Sequence, residues 1–314
     1  MDPVLVVGAG ISGVGAARVL QAAGLAVTVL DRGRRIGGRM AVRTSNERPT
    51  DTGASYFTVS DPEFAAVAQD WRARGLAGAW TDSFHVYDRG ELTPKPGPMR
   101  WAAPHGLRSL VEDLATGLDV QRREVTEVGP GARVDGQSAA AVVLAMPDPQ
   151  ARRLLHPSLA VEIEALDDPY DPVLVLAARW DRRCWPGEVD GVFVQQNDWI
   201  NWIADDGRRR ADQAPVLVAH STSPVAASNL AQPDAATGPM LDAVREVLSV
   251  PEEPVTTHVH RWSYAKPSGT RDRPFFLADS GVGICGDAWS SKPRVEAAYL
   301  SGVALGRALV ARLA

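Results

Sequence analysis

Gly8, Gly10 and Gly13 stand between an apolar β-branched run, VLVV, and an alanine-rich helical pattern, and Asp31 closes a second apolar run 18 residues beyond Gly13. This pattern is suited to holding the pyrophosphate of a dinucleotide. The first glycine permits a tight turn, the second lets the backbone approach the phosphates, and the third lets helix and strand pack closely. The bare helix N-terminus offers N–H donors and partial positive charge to the anion. A carboxylate at position 31 can accept both hydroxyls of an adenosine ribose.

Two further glycine-containing stretches extend the pattern beyond a simple nicotinamide site. GGRM (Gly37–Met40) sets two permissive glycines and a cation just past the ribose acid. ICGDAW (Ile284–Trp289) places Gly286 and Asp287 at a strand end more than 250 residues downstream. Asp287 can hydrogen-bond a polyhydroxylated chain such as ribitol. The helix expected from Val295 can aim its amides at the N1/O2 edge of a flavin, where negative charge develops on reduction.

The elements that must position these groups follow from periodicity and punctuation. Asp61–Gly75 reads as a helix capped by Asp61, with Pro62 in the first turn and Gly75 as its stop. Asp88–Gly90 reads as a hairpin turn. Pro104–Thr116 reads as a capped helix, followed by a strand around Leu118–Val128. Ala139–Pro147 reads as a buried strand of the nucleotide-binding sheet. From about 150 to 270 aromatic-rich strands surround one amphipathic helix near Met240–Leu248, and the C-terminal segment is strongly helical. The expected fold is α/β. A Rossmann-like FAD-binding domain (1–60, 102–150 and 272–314) interleaves with an α+β substrate domain carrying a mixed sheet (61–101 and 151–271).

The chain has 314 residues, 45% of them hydrophobic and 23% charged, as expected of an ordinary globular protein with a substantial core. A net charge of −5 argues against nucleic acid as a partner. Only Lys95, Lys266 and Lys292 are lysines. Two distant cysteines, no 18-residue apolar run and no basic leader point to a cytoplasmic protein with no membrane partner.

VVGAGISG, Asp31–Met40, DTGASYFT (Asp51–Thr58), HRWSYAKPSG (His260–Gly269) and ICGDAWSSKPRVEAAYLSG together resemble renalase-type flavoproteins, within the amine oxidase and phytoene desaturase-like superfamily. The resemblance implies non-covalent FAD and a two-lobed fold of the p-hydroxybenzoate hydroxylase kind. It also implies oxidation of 2- or 6-dihydro-NAD(P) to NAD(P)⁺, with O₂ reoxidising the flavin to give hydrogen peroxide. Carried over by residue, Gly8, Gly10, Ser12 and Gly13 hold the pyrophosphate and Asp31 the ribose. Arg39 reaches the phosphate and flavin side, Ser55 and Tyr56 lie near the isoalloxazine, and Asp287 binds the ribityl region. Val295, Glu296 and Ala297 open the helix at the flavin. Ile11, Arg32, Gly38, Met40, Val125, Gly286 and Arg294 complete the expected cofactor-binding set. The stretch between Val125 and Ala139 is short for the family's complete β-meander, so that insert is expected to be trimmed.

A dihydronicotinamide regains aromaticity on losing hydride, so such a site needs positioning, water exclusion and aromatic walls more than a strong base. Trp185, Trp199, Trp202, Trp262, Tyr264 and Trp289 are the wall candidates. Alternation puts His258, His260 and Trp262 on one strand face with Arg261 on the other. His260, Trp262 and Asn201 are expected in the substrate pocket with Trp202, Tyr264 and Trp289. No catalytic side chain and no metal ligand is assigned; His258 and His260 lack a third partner. Cys285 reads as a packed residue, Asp167–Pro172 as a loop, and Arg208–Arg210 as a solvated turn, with a substrate 2′-phosphate as its other reading. The rival functions are an amine oxidase, for which Lys266 or Lys292 would hold a water, another small-molecule oxidase, or a flavin-binding protein without turnover.

Overall fold

The computed structural model describes residues 2–45 and 47–314, in two compact units. The first comprises Met1–Met40, Arg108–Tyr170 and Lys266–Ala314; the second comprises Ala41–Leu107 and Asp171–Ala265.

The first unit is built on a six-stranded sheet in the order Phe276–Leu277, Val282–Ile284, Ala141–Leu144, Val4–Val7, Val27–Asp31, Asp119–Arg122. All neighbours are parallel except the hairpin-paired edge strand Phe276–Leu277. Val4–Val7 and Ala141–Leu144 are wholly buried, which explains why both read as unbroken apolar runs. The first helix, Ile11–Ala22, packs on the last, Val295–Leu313. Gly302 makes this possible: a Cβ there would lie 1.9 Å from the Ser12 carbonyl oxygen.

Two expectations in this unit change. The strand foreseen over 118–128 is split, with Asp119–Arg122 in the parallel sheet and Val128–Gly129 in a small separate one. That small sheet, completed by Arg133–Val134 and Gln137–Ser138, is a three-stranded meander reduced to two residues per strand, so the insert is miniature yet complete.

The second unit carries an eight-stranded sheet in the order Thr256–Pro267, Tyr170–Arg179, Val216–Ser221, Ile200–Asp205, Gly191–Val194, Gly78–Asp88, Glu91–Ala102, Phe57–Thr58. The pairing of Gly191–Val194 with Gly78–Asp88 is parallel, which makes the sheet mixed. The helix Thr237–Leu248 covers one face, where Met240 and Val244 pack with Ile203, Leu217 and Ala219. Alternation sends Trp202 and its cross-strand partner His220 to the other face. Arg89 and Gly90, both at positive φ, close the hairpin between Asp88 and Glu91 as the sequence suggested. Asp61 caps Pro62–Ala73 by accepting from the Glu63 and Phe64 amides.

The helix expected from Pro104 begins only at Arg108. Gly106 takes φ +85°, and the Leu107 amide donates to the Asp51 carboxylate at 2.9 Å, so this stretch is tied to other partners.

Candidate functional site

In the first unit the glycine turn has the expected geometry. Gly8 adopts φ +107°, and a Cβ on Gly13 would meet the Gly8 carbonyl oxygen at 2.0 Å. Gly10 is the N-cap of the first helix in extended conformation, with no side chain capping the helix amides. A Cβ on Gly10 would meet nothing within 4 Å, which leaves a cradle of open space over the bare amides. Gly37 donates to the Ala9 carbonyl at 2.9 Å, and a Cβ on Gly38 would lie 3.3 Å from the Gly10 Cα. The second glycine pair therefore lies directly against the first.

Asp31 ends its strand with both carboxylate oxygens engaged. Oδ2 accepts from the Ala9 amide and Oδ1 from the Gly33 amide, each at 2.7 Å. Each oxygen retains a second acceptor site for a ribose hydroxyl.

Arg39 and Asp287, 248 residues apart, form a bidentate pair at 2.9 and 2.6 Å. The guanidinium also lies 5.7 Å from the centroid of the Tyr170 ring. Burial, ahead of the nearby Asp287 charge, pushes the Tyr170 hydroxyl up, so it stays protonated. Beside Asp287, Gly286 takes φ +150° and its amide donates to Ser301 Oγ at 2.9 Å, joining this turn to the last helix. Arg294 caps that helix through its backbone and pairs at 2.6 Å with the buried Glu296, while Val295 and Ala297 lie half-buried in the first turn. Cys285 is buried, and burial pushes its thiol up to about 12, leaving a neutral packed group.

Of the remaining residues of the expected cofactor set, Ile11 and Ser12 open the first helix and Met40 ends the Gly38–Met40 turn. Ile11, Ser12 and Met40 are buried; Val125 packs in the sheet core with Leu30 and Val128. Arg32 is exposed, 4.0 Å from Glu124.

In the second unit the segment Asp51–Tyr56 lies among aromatic side chains. Trp202 Nε1 donates to Ser55 Oγ at 3.0 Å, and Trp262 Nε1 to the Thr52 carbonyl at 2.6 Å. The Tyr56 ring lies 5.8 Å from Trp202 and 5.3 Å from Phe84. His260 and Trp262 form an edge-to-face pair at 4.7 Å on one strand, while Arg261 points away and donates to the Leu230 carbonyl. Tyr264 is half-buried on the same strand, and Asn201 is exposed at a bulge between Ile200 and Trp202.

Two further wall candidates are buried. Trp185 is core, packed on Trp180 with its Nε1 bonded to Asp205 at 2.7 Å. Trp289 belongs to the first unit, where it is buried near Phe276 with the Arg271 guanidinium 4.2 Å over its ring. Asp167 and Asp168 are ion-paired to the same Arg271.

The reading of Arg208–Arg210 as a solvated turn is overturned. These residues form the short helix Asp206–Arg210, and Arg209 and Arg210 are buried. Arg210 bonds Asp51 at 2.6 Å and Asp206 at 3.0 Å, Arg209 bonds Asp206, and Arg48 spans Asp206 and Asp212. Three arginines and three aspartates thus balance in charge. Burial opposes ionisation of Asp206, but Arg209, Arg210 and Arg48 outweigh it and hold that carboxyl well below the usual carboxylate range. Arg208 pairs with Asp190 at 2.6 Å, so each arginine of the run is matched by a carboxylate. Three arginines in a row offered no periodicity from which burial could be read.

A parallel sheet with a glycine turn, a terminal ribose acid and a distant Gly–Asp turn defines a dinucleotide-binding flavoprotein. A model of NAD(P)-binding Rossmann-like domains matches residues 6–71, and a model of flavin containing amine oxidoreductases matches residues 74–308. The chain belongs to the flavin containing amine oxidoreductase family. It is 48% identical over 68 residues to the flavin-containing amine oxidase B of Rattus norvegicus, and 40% identical over 67 residues to protoporphyrinogen oxidase 2 of Arabidopsis thaliana. Each match spans 21% of this chain and only 13% of the relative. The fold is similar to that of cyclohexylamine oxidase from Brevibacterium oxydans, with a TM-score of 0.78, 14% identity and 99% of both chains covered.

The cofactor is FAD. The uncapped helix amides and the open cradle at Gly10 fit its pyrophosphate. Among the described residues no helix is long and apolar enough to cross a membrane, and no group of three or more His, Cys, Asp or Glu side chains could hold a metal ion.

Proposed function

We propose that the protein is a renalase-type oxidase that takes hydride from a 2- or 6-dihydro-NAD(P) isomer. The chemistry supplied by the bound coenzyme is hydride acceptance at flavin N5, with O₂ as the final acceptor giving hydrogen peroxide. Gly8, Gly10, Ser12 and Gly13 bind the pyrophosphate, Asp31 the adenosine ribose, and Asp287, steadied by Arg39, the ribityl chain. The amides at Val295–Ala297 favour negative charge at the ring edge.

The observation that carries the substrate reading is the His260–Trp262 edge-to-face pair, its indole fixed by the Thr52 carbonyl. It offers a flat, oriented aromatic surface for a flat donor. A dihydropyridine needs this kind of positioning and no strong base, because hydride loss restores its aromaticity. An amine substrate is the second reading, favoured by the family match over 74–308.

Anaerobic mixing of the FAD-loaded protein with 2-, 4- and 6-dihydro-NAD(P), and separately with a panel of amines, tests both. Rapid bleaching of the flavin by the 2- or 6-isomer is expected. Bleaching by amines alone overturns the proposal in favour of the second reading.

A further inference from the structure

Arg209 is a fully buried cation whose contacts extend past its ion pairs. Its Nη2 is bonded to Asp206 and lies 3.7 Å from Asp51, while Nη1 donates to the Ser55 carbonyl at 2.8 Å. The guanidinium lies 5.9 Å from the centroid of the Trp80 ring, within the group formed by Tyr56, Phe84 and Trp202. Its placement is over-determined. The short helix that carries it is capped by the Asp205 side chain, which accepts from the Arg208 amide at 2.9 Å. A Cβ on Gly207 would meet the Ala214 carbonyl oxygen at 2.1 Å, so the turn has little freedom to relax.

Burying such a network costs desolvation that apolar packing would avoid. What this network gives in return is a rigid donor aimed at one backbone carbonyl. Three donors hold the segment 52–56: Trp262 on the Thr52 carbonyl, Trp202 on Ser55 Oγ, and Arg209 on the Ser55 carbonyl. Two of the three come from residues proposed to line the substrate pocket; the third is the arginine. Lysine could not replace it, because a single ammonium cannot serve Asp206 and the Ser55 carbonyl with the fixed fork of a guanidinium.

We infer that Arg209 is a positioning residue of the substrate site: anchored by Asp206, it holds the Ser55–Tyr56 backbone so that Tyr56 and Trp202 form one fixed aromatic wall. This rests on the assignment of Trp202 to the substrate pocket, and the test separates the two ideas.

Arg209→Lys is compared with Arg48→Lys, a charge-conserving change in the same network. Arg48 bonds Asp206 and Asp212 and has no bond to the 52–56 segment. Both variants are loaded with FAD and followed by near-ultraviolet circular dichroism, which reports the fixed asymmetry of the aromatic group without any substrate. Both are also titrated with whichever donor reduces the wild-type flavin. Arg209→Lys is expected to lose near-ultraviolet ellipticity and to raise the half-saturating donor concentration about 10-fold, since one charge-assisted hydrogen bond is lost. Its FAD content should match wild type. Arg48→Lys is expected to lower the melting temperature and leave ellipticity and half-saturation alone. Equal changes in the two variants, or an unchanged ellipticity in Arg209→Lys, overturn the inference. Lost ellipticity with an unchanged half-saturation keeps the clamp but removes Trp202 from the pocket, which refutes the inference as a statement about the substrate site.

Discussion

Gly302→Ala probes how closely the cofactor-binding unit is built. The added methyl would sit 1.9 Å from the Ser12 carbonyl oxygen and 2.7 Å from its carbon, where ordinary contact needs about 3.5 Å. Both obstacles are main chain, so no rotamer change relieves them. The first and last helices must instead part by roughly 1.5 Å at this point. Overpacking of this severity costs about 3 kcal/mol, of which the helix preference of alanine over glycine returns about 1 kcal/mol. A net loss of about 2 kcal/mol lowers the melting temperature of a 314-residue chain by roughly 3 °C. Because Ser301 Oγ accepts from the Gly286 amide, the same displacement pulls on the Gly286–Asp287 turn, and the ratio of flavin to protein absorbance should fall. Gly15→Ala is the companion change. Its methyl would meet Tyr299 at 3.3–3.5 Å, a distance that a few tenths of an ångström relieve, so its melting temperature should match or slightly exceed wild type. Thermal unfolding followed by flavin fluorescence reads both. A Gly302→Ala protein as stable as wild type would refute the close-packing argument.

Other perturbations give separate signatures. Asp31→Ala strips the Ala9 and Gly33 amides of their acceptor and the ribose of its own, so FAD should bind about 10- to 100-fold more weakly, read by equilibrium dialysis of the apoprotein. Trp262→Phe keeps the ring but loses the bond to the Thr52 carbonyl; FAD content should hold while anaerobic flavin reduction slows about 10-fold, and full activity would remove Trp262 from the site. Burial, reinforced by the Arg209 charge, lowers the His220 pKa to about 4. The unfolded chain therefore takes up this proton first as acid is added. The stability that this neutral imidazole contributes is fully present above about pH 6.5 and is lost toward pH 4, and His220→Gln should flatten that part of the acid limb in melting experiments.

Much of the first unit was legible because its signals are local. Gly8, Gly10 and Gly13 demand a particular turn, and the β-branched runs before and after them leave little choice but buried parallel strands. In the second unit, Asp61 before Pro62 likewise announces a helix start from chemistry confined to four residues. What escaped is decided by partners distant in sequence. Pro104–Leu107 has helical company, yet Asp51 claims the Leu107 amide and the segment stays out of the helix. Arg209 and Arg210 look solvated until Asp51 and Asp206 are brought to meet them. Arg39 and Asp287 were each read as cofactor contacts, and nothing in the sequence said that they would pair with each other across 248 positions. Gly302 carried a faint signal in its four-residue spacing from Gly306, the pattern of small residues that lets helices approach.

The strand order of the first unit also has a consequence for biosynthesis. The sheet sets Val4–Val7 between strands at 27–31 and 141–144, the latter is flanked by 282–284, and the helix at 295–313 leans on the one at 11–22. A nascent chain halted at mid-length would hold the glycine turn yet lack its Gly286–Asp287 counterpart and the covering helix. On the proposed cofactor site, flavin capture waits until those late residues have cleared the ribosome, and the early strands stay without their sheet partners in the interval.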